Sequence, residues 1–163
     1  MKKSDSLKDR IFSREELTQE VKRLRLKSKT IAFTNGVFDI LHEGHIAVLA
    51  EAASFADVLI VGVNSDSSVK KLKGDSRPIN NENSRALVIA SLIMVDAVVI
   101  FDEETPIELI KMIKPDVLVK GGDYTLETMV GAKEVVDNGG RVELIPLREG
   151  FSTTNIIDRI SRK

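Results

Sequence analysis

From about residue 30 onward the chain alternates short, almost unbroken apolar runs with longer stretches of helical periodicity, and this alternation limits the fold more than any other feature. The runs are Thr30–Thr34, Val58–Val63, Ala97–Phe101, Val117–Lys120 and Val142–Pro146. A strand with one wet face alternates apolar and polar residues, so runs this continuous mark strands buried on both faces. Between them lie Gly44–Phe55, Asn81–Val95, Thr105–Ile113, Leu126–Asn138 and a last stretch Thr153–Arg162, each long and periodic enough for a helix. The pattern predicts an α/β domain with a doubly wound parallel sheet, whose ligand sits outside the carboxyl ends of the strands. Site residues are therefore expected just after strands.

A chain of 163 residues is the length of one such domain. Residues 1–29 read as a helical leader, because Ser13-Arg14-Glu15-Glu16 is a capping box and Leu17, Val21 and Leu24 follow at helical spacing; the α/β domain is expected over 30–163. The leader holds ten Lys/Arg against five Asp/Glu, and the rest of the chain 14 against 20. A solvated basic helix face accounts for this better than nucleic acid does, since no aromatic residues interleave with the basic ones as a stacking platform requires. With no cysteine, thiolate chemistry and Cys-ligated metals are excluded. The longest apolar stretch, Ala86 to Phe101, is broken by Ser91 and Asp96 and falls short of the ~20 residues that cross a bilayer. No apolar signal core follows Lys2 and Lys3, so a cytoplasmic location is expected, with no membrane partner.

No G-x-G-x-x-G follows a strand and no G-x-x-x-x-G-K-[ST] occurs, which weakens dinucleotide and P-loop readings. Both histidines of the chain fall in one segment after the first predicted strand, Thr34-Asn35-Gly36-Val37-Phe38-Asp39-Ile40-Leu41-His42-Glu43-Gly44-His45. A helix starting near Gly44 offers free N–H groups to an anion, and two imidazoles beside it can stabilise charge building on a phosphate.

This segment resembles the H-x-G-H signature of the nucleotidyltransferase superfamily that includes class I aminoacyl-tRNA synthetases and small cytidylyltransferases. About 110 residues on, Arg148-Glu149-Gly150-Phe151-Ser152-Thr153-Thr154 resembles the R-T-x-G-I-S-T-T signature of the glycerol-3-phosphate cytidylyltransferase group. Val63-Asn64-Ser65-Asp66, Leu72-Lys73-Gly74-Asp75-Ser76-Arg77-Pro78, Val119-Lys120-Gly121-Gly122-Asp123-Tyr124 and Ser152-Thr153-Thr154-Asn155 together look like the adenylyltransferase domain of bacterial D-glycero-β-D-manno-heptose 1-phosphate adenylyltransferases. The resemblance implies a Rossmann-like nucleotidyltransferase fold and transfer of AMP from ATP to a sugar 1-phosphate; Mg²⁺ is expected on chemical grounds, bridging the ATP phosphates with few protein ligands, and no all-protein metal cage is visible in the sequence. The resemblance further implies a homodimer and the stand-alone form of a domain that many bacteria fuse behind a sugar kinase. A CTP-using cytidylyltransferase shares both signatures and is the alternative; a non-catalytic nucleotide sensor is a more distant one.

The resemblance also assigns residues. His42 and His45 are expected on the triphosphate, stabilising the α-phosphorus and the departing pyrophosphate. Lys71 and Lys73 fall where loop lysines of the family reach phosphates, although Lys70-Lys71-x-Lys73 reads equally as a solvated run. Arg85 matches an arginine near the phosphates, against a surface ion pair. Arg148 opens the second signature, one residue closer to Gly150 than in the cytidylyltransferase pattern. Ser152, Thr153 and Thr154 are expected to hold phosphate at a helix start, and Gly121, Gly122 and Asp123 the base and ribose. Thr34, Asn35, Gly36 and Phe38, around the turn after the first strand, complete the expected nucleotide-binding set. Asp39 is read as an Asx cap or a magnesium neighbour.

Overall fold

Ile31, Ala32 and Phe33 are successive residues of one strand, point to alternate faces of the sheet, and are all fully buried. That is possible only where both faces are covered. The computed structural model describes residues 4–122, 125, 127–146 and 153–161. In chain order the elements are a 3₁₀ helix (Ser4–Arg10), β1 (Ile11–Phe12), α1 (Arg14–Leu26), β2 (Ile31–Gly36), α2 (Glu43–Ser54), β3 (Val58–Asn64), α3 (Asp66–Lys73) and α4 (Glu82–Ala90). They continue with β4 (Ala97–Phe101), α5 (Ile107–Ile113), β5 (Val117–Gly121), α6 (Ala132–Asp137), β6 (Arg141–Ile145) and α7 (Thr153–Ser161).

The strands form one sheet in the order β1-β4-β3-β2-β5-β6, with every pair parallel. Ile31, Phe33, Ile60, Val99, Phe101 and Leu118 face one core with Leu17, Val21 and Leu24 of α1 and Leu109, Ile110 and Ile113 of α5. The intervening residues Ala32, Leu59, Val61, Val98, Val117 and Val119 face the other core with Leu49 of α2 and Ile89 of α4. The chain winds outward from β2 through β3 to β4, then returns to lay β5 on the other side of β2. The direction of winding reverses between β2 and β5, and connections diverging from that point leave a crevice at the carboxyl edge.

Three expectations on elements are corrected. The helix expected over Asn81–Val95 ends at Ala90, because Leu92 and Val95 turn the chain so that the Asp96 carboxylate accepts the Leu59 amide at 2.9 Å and Asp96 donates its own amide to the Leu59 carbonyl. The helix expected over Leu126–Asn138 is reduced to α6: residues 127–130 are turns, and Gly131 precedes the helix at φ +86°, a left-handed conformation that favours glycine. The stretch read as a lysine loop is α3, capped by Ser65, whose hydroxyl accepts the Ser68 amide at 3.2 Å. The leader carries the expected capping box and α1, and also β1, whose two residues pair with Val98 and Val99 at the sheet edge.

The leader is fastened to the sheet by polar contacts as well. Arg10 donates to the Val95 carbonyl at 2.8 Å, and the Asp116 carboxylate accepts from both Arg25 and the Ile31 amide at 2.6 Å.

Candidate active site

The crevice between β2 and β5 opens into a cavity of about 690 Å³. Its floor is the carboxyl end of the two strands, where Thr34, Asn35 and Gly36 lie beside Leu118, Lys120 and Gly121. Thr34 and Asn64 are polar residues buried at strand ends, as expected for groups that end a buried strand at a site instead of in the core.

α2 starts at this edge. His42 takes the cap position in extended backbone, and its carbonyl accepts the amides of His45 and Ile46 at 3.0 and 3.3 Å. The His42 side chain makes no cap hydrogen bond, and the start of a helix, where N–H groups point outward and the dipole favours negative charge, is suited to an anion. The rings of His42 and His45 stack with centroids 3.9 Å apart and planes 26° from parallel, and Phe38 meets His45 edge-on at 5.4 Å. Burial pushes the His42 imidazole below its ordinary pKa; burial and then the neighbouring His42 push His45 down to about 4. Both rings are therefore neutral at pH 7 in the absence of an anion, and a bound phosphate would draw protons onto them.

The sheet can approach α2 this closely because of Gly121: a Cβ there would lie 2.5 Å from Val48 Cγ2. Glycine at this position lets the two elements whose ends form the site come into contact.

Of the residues expected from the sequence, the cavity brings together Thr34, Asn35, Gly36, Phe38, His42, His45, Lys73, Gly121 and Thr153. Thr153, at the start of α7, donates to the Ile40 carbonyl at 3.3 Å, which ties that helix to the histidine loop. Thr154 also lies in the first turn of α7. Asp123, Arg148 and Ser152 lie outside the described residues, as does Tyr124. Gly122 follows β5 and donates its amide to the Ile145 carbonyl.

Two expected phosphate ligands stand elsewhere. Lys71 is exposed in the last turn of α3 and does not line the cavity, whereas Lys73 does. Arg85 is neither in this cavity nor on the surface: it is 2% exposed, and its guanidinium donates to the carbonyls of Val37 and Asn80 and to the Asp66 carboxylate at 2.7, 2.9 and 2.7 Å. A guanidinium so occupied holds the loop after β2 against α3 and α4. Asp39 acts alongside it, accepting from Arg77 at 2.7 Å and from the amides of Ile79 and Asn80 at 2.9 Å. Burial alone would raise the Asp39 pKa, but those two amides and Arg77 hold it below the usual carboxylate value. Its oxygens are taken by donors, so of its two readings the turn-forming one fits the geometry.

Lys120 and Glu104 line the cavity and were not singled out from the sequence. Lys120 donates from Nζ to the backbone carbonyl and to Oδ1 of Asn35, both at 3.1 Å, and burial lowers its pKa to about 8. A lysine inside an apolar run was a weak signal, since strand ends often carry one.

A parallel sheet wound in this order, with a crevice that presents a helix N-terminus and two stacked histidines, defines an α/β domain of the nucleotidyltransferase type. A family model described as cytidylyltransferase-like matches residues 33–159, and the chain belongs to that family. The bifunctional protein HldE of Koribacter versatilis is 53% identical over 92% of this chain, and that of Campylobacter jejuni subsp. doylei is 55% identical over 94%. The chain spans 31% and 32% of the length of those two proteins. Among solved structures, a lipopolysaccharide core biosynthesis protein from Thermoplasma volcanium is 30% identical with a TM-score of 0.58, covering 74% of this chain and 97% of that one. A pantoate-beta-alanine ligase from Francisella tularensis, 16% identical over 94% of this chain and 78% of its own, has a TM-score of 0.60 and shares the fold.

Proposed function

We propose that this chain transfers AMP from ATP to D-glycero-β-D-manno-heptose 1-phosphate, releasing pyrophosphate and forming ADP-heptose for the lipopolysaccharide inner core. The stacked histidine pair at the start of α2, opening into the switch-point cavity, carries the reading. The HldE relatives and the T. volcanium protein support the branch.

A sugar phosphate is already a nucleophile at pH 7, so the site needs no deprotonating base. An acceptor phosphate oxygen attacks the α-phosphorus of ATP; a P–O bond forms there as the bond to the bridging oxygen breaks, and pyrophosphate leaves with that electron pair. The obstacle is gathering negative charge in one place. N–H groups of α2, the two imidazoles and Lys73 surround the position where that charge grows, and being preorganised they need no rearrangement as it develops. Arg148, Ser152, Thr153 and Thr154 are proposed as the second phosphate-holding group, and Gly121, Gly122 and Asp123 as the base and ribose edge.

Among the described residues no three His, Asp or Glu side chains converge as metal ligands, and the Asp39 carboxylate is filled by donors. Mg²⁺ enters this proposal as a companion of the ATP phosphates. No described helix is long and apolar enough to cross a membrane; we assign the protein to the cytoplasm, where ATP is available. Leu87 and Val88 on α4 and Ile93 beyond it are exposed, which supports a homodimer through that segment.

The test is pyrophosphate release with ATP or CTP crossed against the heptose phosphate and glycerol 3-phosphate, each with and without Mg²⁺. Release with ATP and the heptose phosphate alone is expected. Release with CTP and glycerol 3-phosphate alone would move the chain to the cytidylyltransferase branch, and binding without release would make it a nucleotide sensor.

A further inference from the structure

Lys120 lines the cavity and has no task in the mechanism above. Lys120, next to the last residue of β5, reaches across to β2: its Nζ donates to the backbone carbonyl and to the side-chain oxygen of Asn35, both at 3.1 Å. An ammonium group only donates hydrogen bonds, whereas a carboxamide offers an oxygen that accepts and a nitrogen that donates. Facing Lys120, the Asn35 amide must therefore present its oxygen to the lysine, which leaves Nδ2 as the hydrogen-bonding end that Asn35 keeps for anything else it meets. Asn35 lines the cavity at the carboxyl end of β2, within the segment that leads to the histidines.

We propose that Lys120 is a positioning residue for nucleotide binding, which locks the Asn35 carboxamide with its NH₂ group presented as a donor to the phosphoryl oxygens of the bound nucleotide. The inference rests on the nucleotide reading of this cavity. A side-chain amide free to rotate would present oxygen as readily as nitrogen, and an oxygen turned toward a triphosphate repels it. Tying the oxygen to an ammonium group removes that orientation.

The arrangement depends on the charge of the lysine. Once deprotonated, the amine has a lone pair that accepts, and the amide gains by turning its NH₂ toward it and its oxygen toward the ligand. Burial places that titration near pH 8 instead of 10.5. Among the described groups of this cavity, the two imidazoles and Asp39 titrate below that window. On α2, His42 and His45 are held below their ordinary values and are neutral there. Across the cavity Asp39 is ionised against Arg77, and Glu104 and Lys73 also line the wall. On β6 the residue in register with Lys120 is the apolar Leu144, and on the α2 side Val48 packs on Gly121.

The experiment is calorimetric titration with ATP and with inorganic pyrophosphate between pH 6.5 and 9.5, where both remain highly charged, together with kcat and KM profiles over the same range. For the wild type, affinity and kcat/KM for the nucleotide are expected to fall as pH rises through about 8. The kcat profile should stay flatter, because a bound triphosphate favours the charged lysine and kcat reports the loaded enzyme. Lys120→Arg keeps its charge and should flatten the affinity profile. Lys120→Met should bind about tenfold or more weakly at pH 7 with a flat profile. Asn35→Ala should weaken binding similarly, and adding Lys120→Met to it should cost little more, since the lysine acts through that amide. Losses that multiply in the double variant, or a wild-type affinity that is level through pH 9.5, would overturn the inference while leaving the nucleotide reading intact. Failure of the wild type to bind ATP or CTP at any pH would overturn both.

Discussion

His42 and His45 are half-buried, neutral and stacked on each other, an arrangement that a single imidazole at a helix cap cannot have. Holding two rings 3.9 Å apart makes joint protonation costly until an anion arrives, so the pair stores its capacity to donate for the moment negative charge enters the cavity. His42→Ala and His45→Ala should each lower kcat by about 10²–10³-fold, the range seen when a donor to a developing oxyanion is removed, with circular dichroism unchanged. Wild-type turnover in both variants would sink the mechanism. The same pair gives the fold a pH dependence of definite sign. In the unfolded chain His45 takes up a proton as pH falls through about 6.5, but in the folded chain only near pH 4. Between those values the unfolded state holds more protons, so stability declines as pH falls from about 6.5 to about 4. The midpoint of urea unfolding should drop over that interval, and His45→Gln should remove part of the slope; an unaltered slope would assign it to other groups.

At the scale of elements, the site depends on how closely β5 and α2 approach. Gly121 sets that distance, because any side chain there would meet Val48. Gly121→Ala is expected to cost about 1–3 kcal/mol of stability, typical of overpacking a dense region, and to displace the start of α2 and reduce turnover. Pairing it with Val48→Ala should restore both, since the pair roughly conserves volume. Rescue of stability without rescue of turnover would mean that Gly121 acts by approach to the ligand and not by approach to α2. Short or interrupted elements leave little periodicity in the sequence. α3 has eight residues and β1 has two, too few for a period to register, while the apolar residues of 126–131 were compatible with helix until Gly131 took a left-handed turn beneath Ile110.

For the molecule as a whole, the leader is part of the core. Leu17, Val21 and Leu24 are buried between α1 and the sheet, and burying three such side chains contributes about 5–9 kcal/mol, comparable with the whole net stability of a domain. Removing residues 1–29 is therefore expected to leave a chain over 30–163 that does not unfold cooperatively in urea. A sharp transition with wild-type midpoint would show the leader to be an appendage.

Local sequence determined a good deal of this protein. Runs such as Val58–Val63 and Ala97–Phe101 are apolar at every position, and a strand of that kind can exist only inside a sheet covered on both sides; both histidines stand together after the first such run, at a helix start. These signals survive in sequence because their physics is local: periodicity, turn chemistry and the free N–H groups of a helix end. What distance along the chain conceals, the tertiary structure decided. Arg85 was equally consistent with phosphate binding or a surface pair, and became neither once Val37, Asn80 and Asp66 enclosed its guanidinium. Lys120 passed as an ordinary residue near a strand end until β5 was laid beside β2, 85 residues away, and aimed it at Asn35. Which polar groups are spent on the fold and which are left for a ligand depends on partners brought together by the sheet order, and no local pattern encodes them.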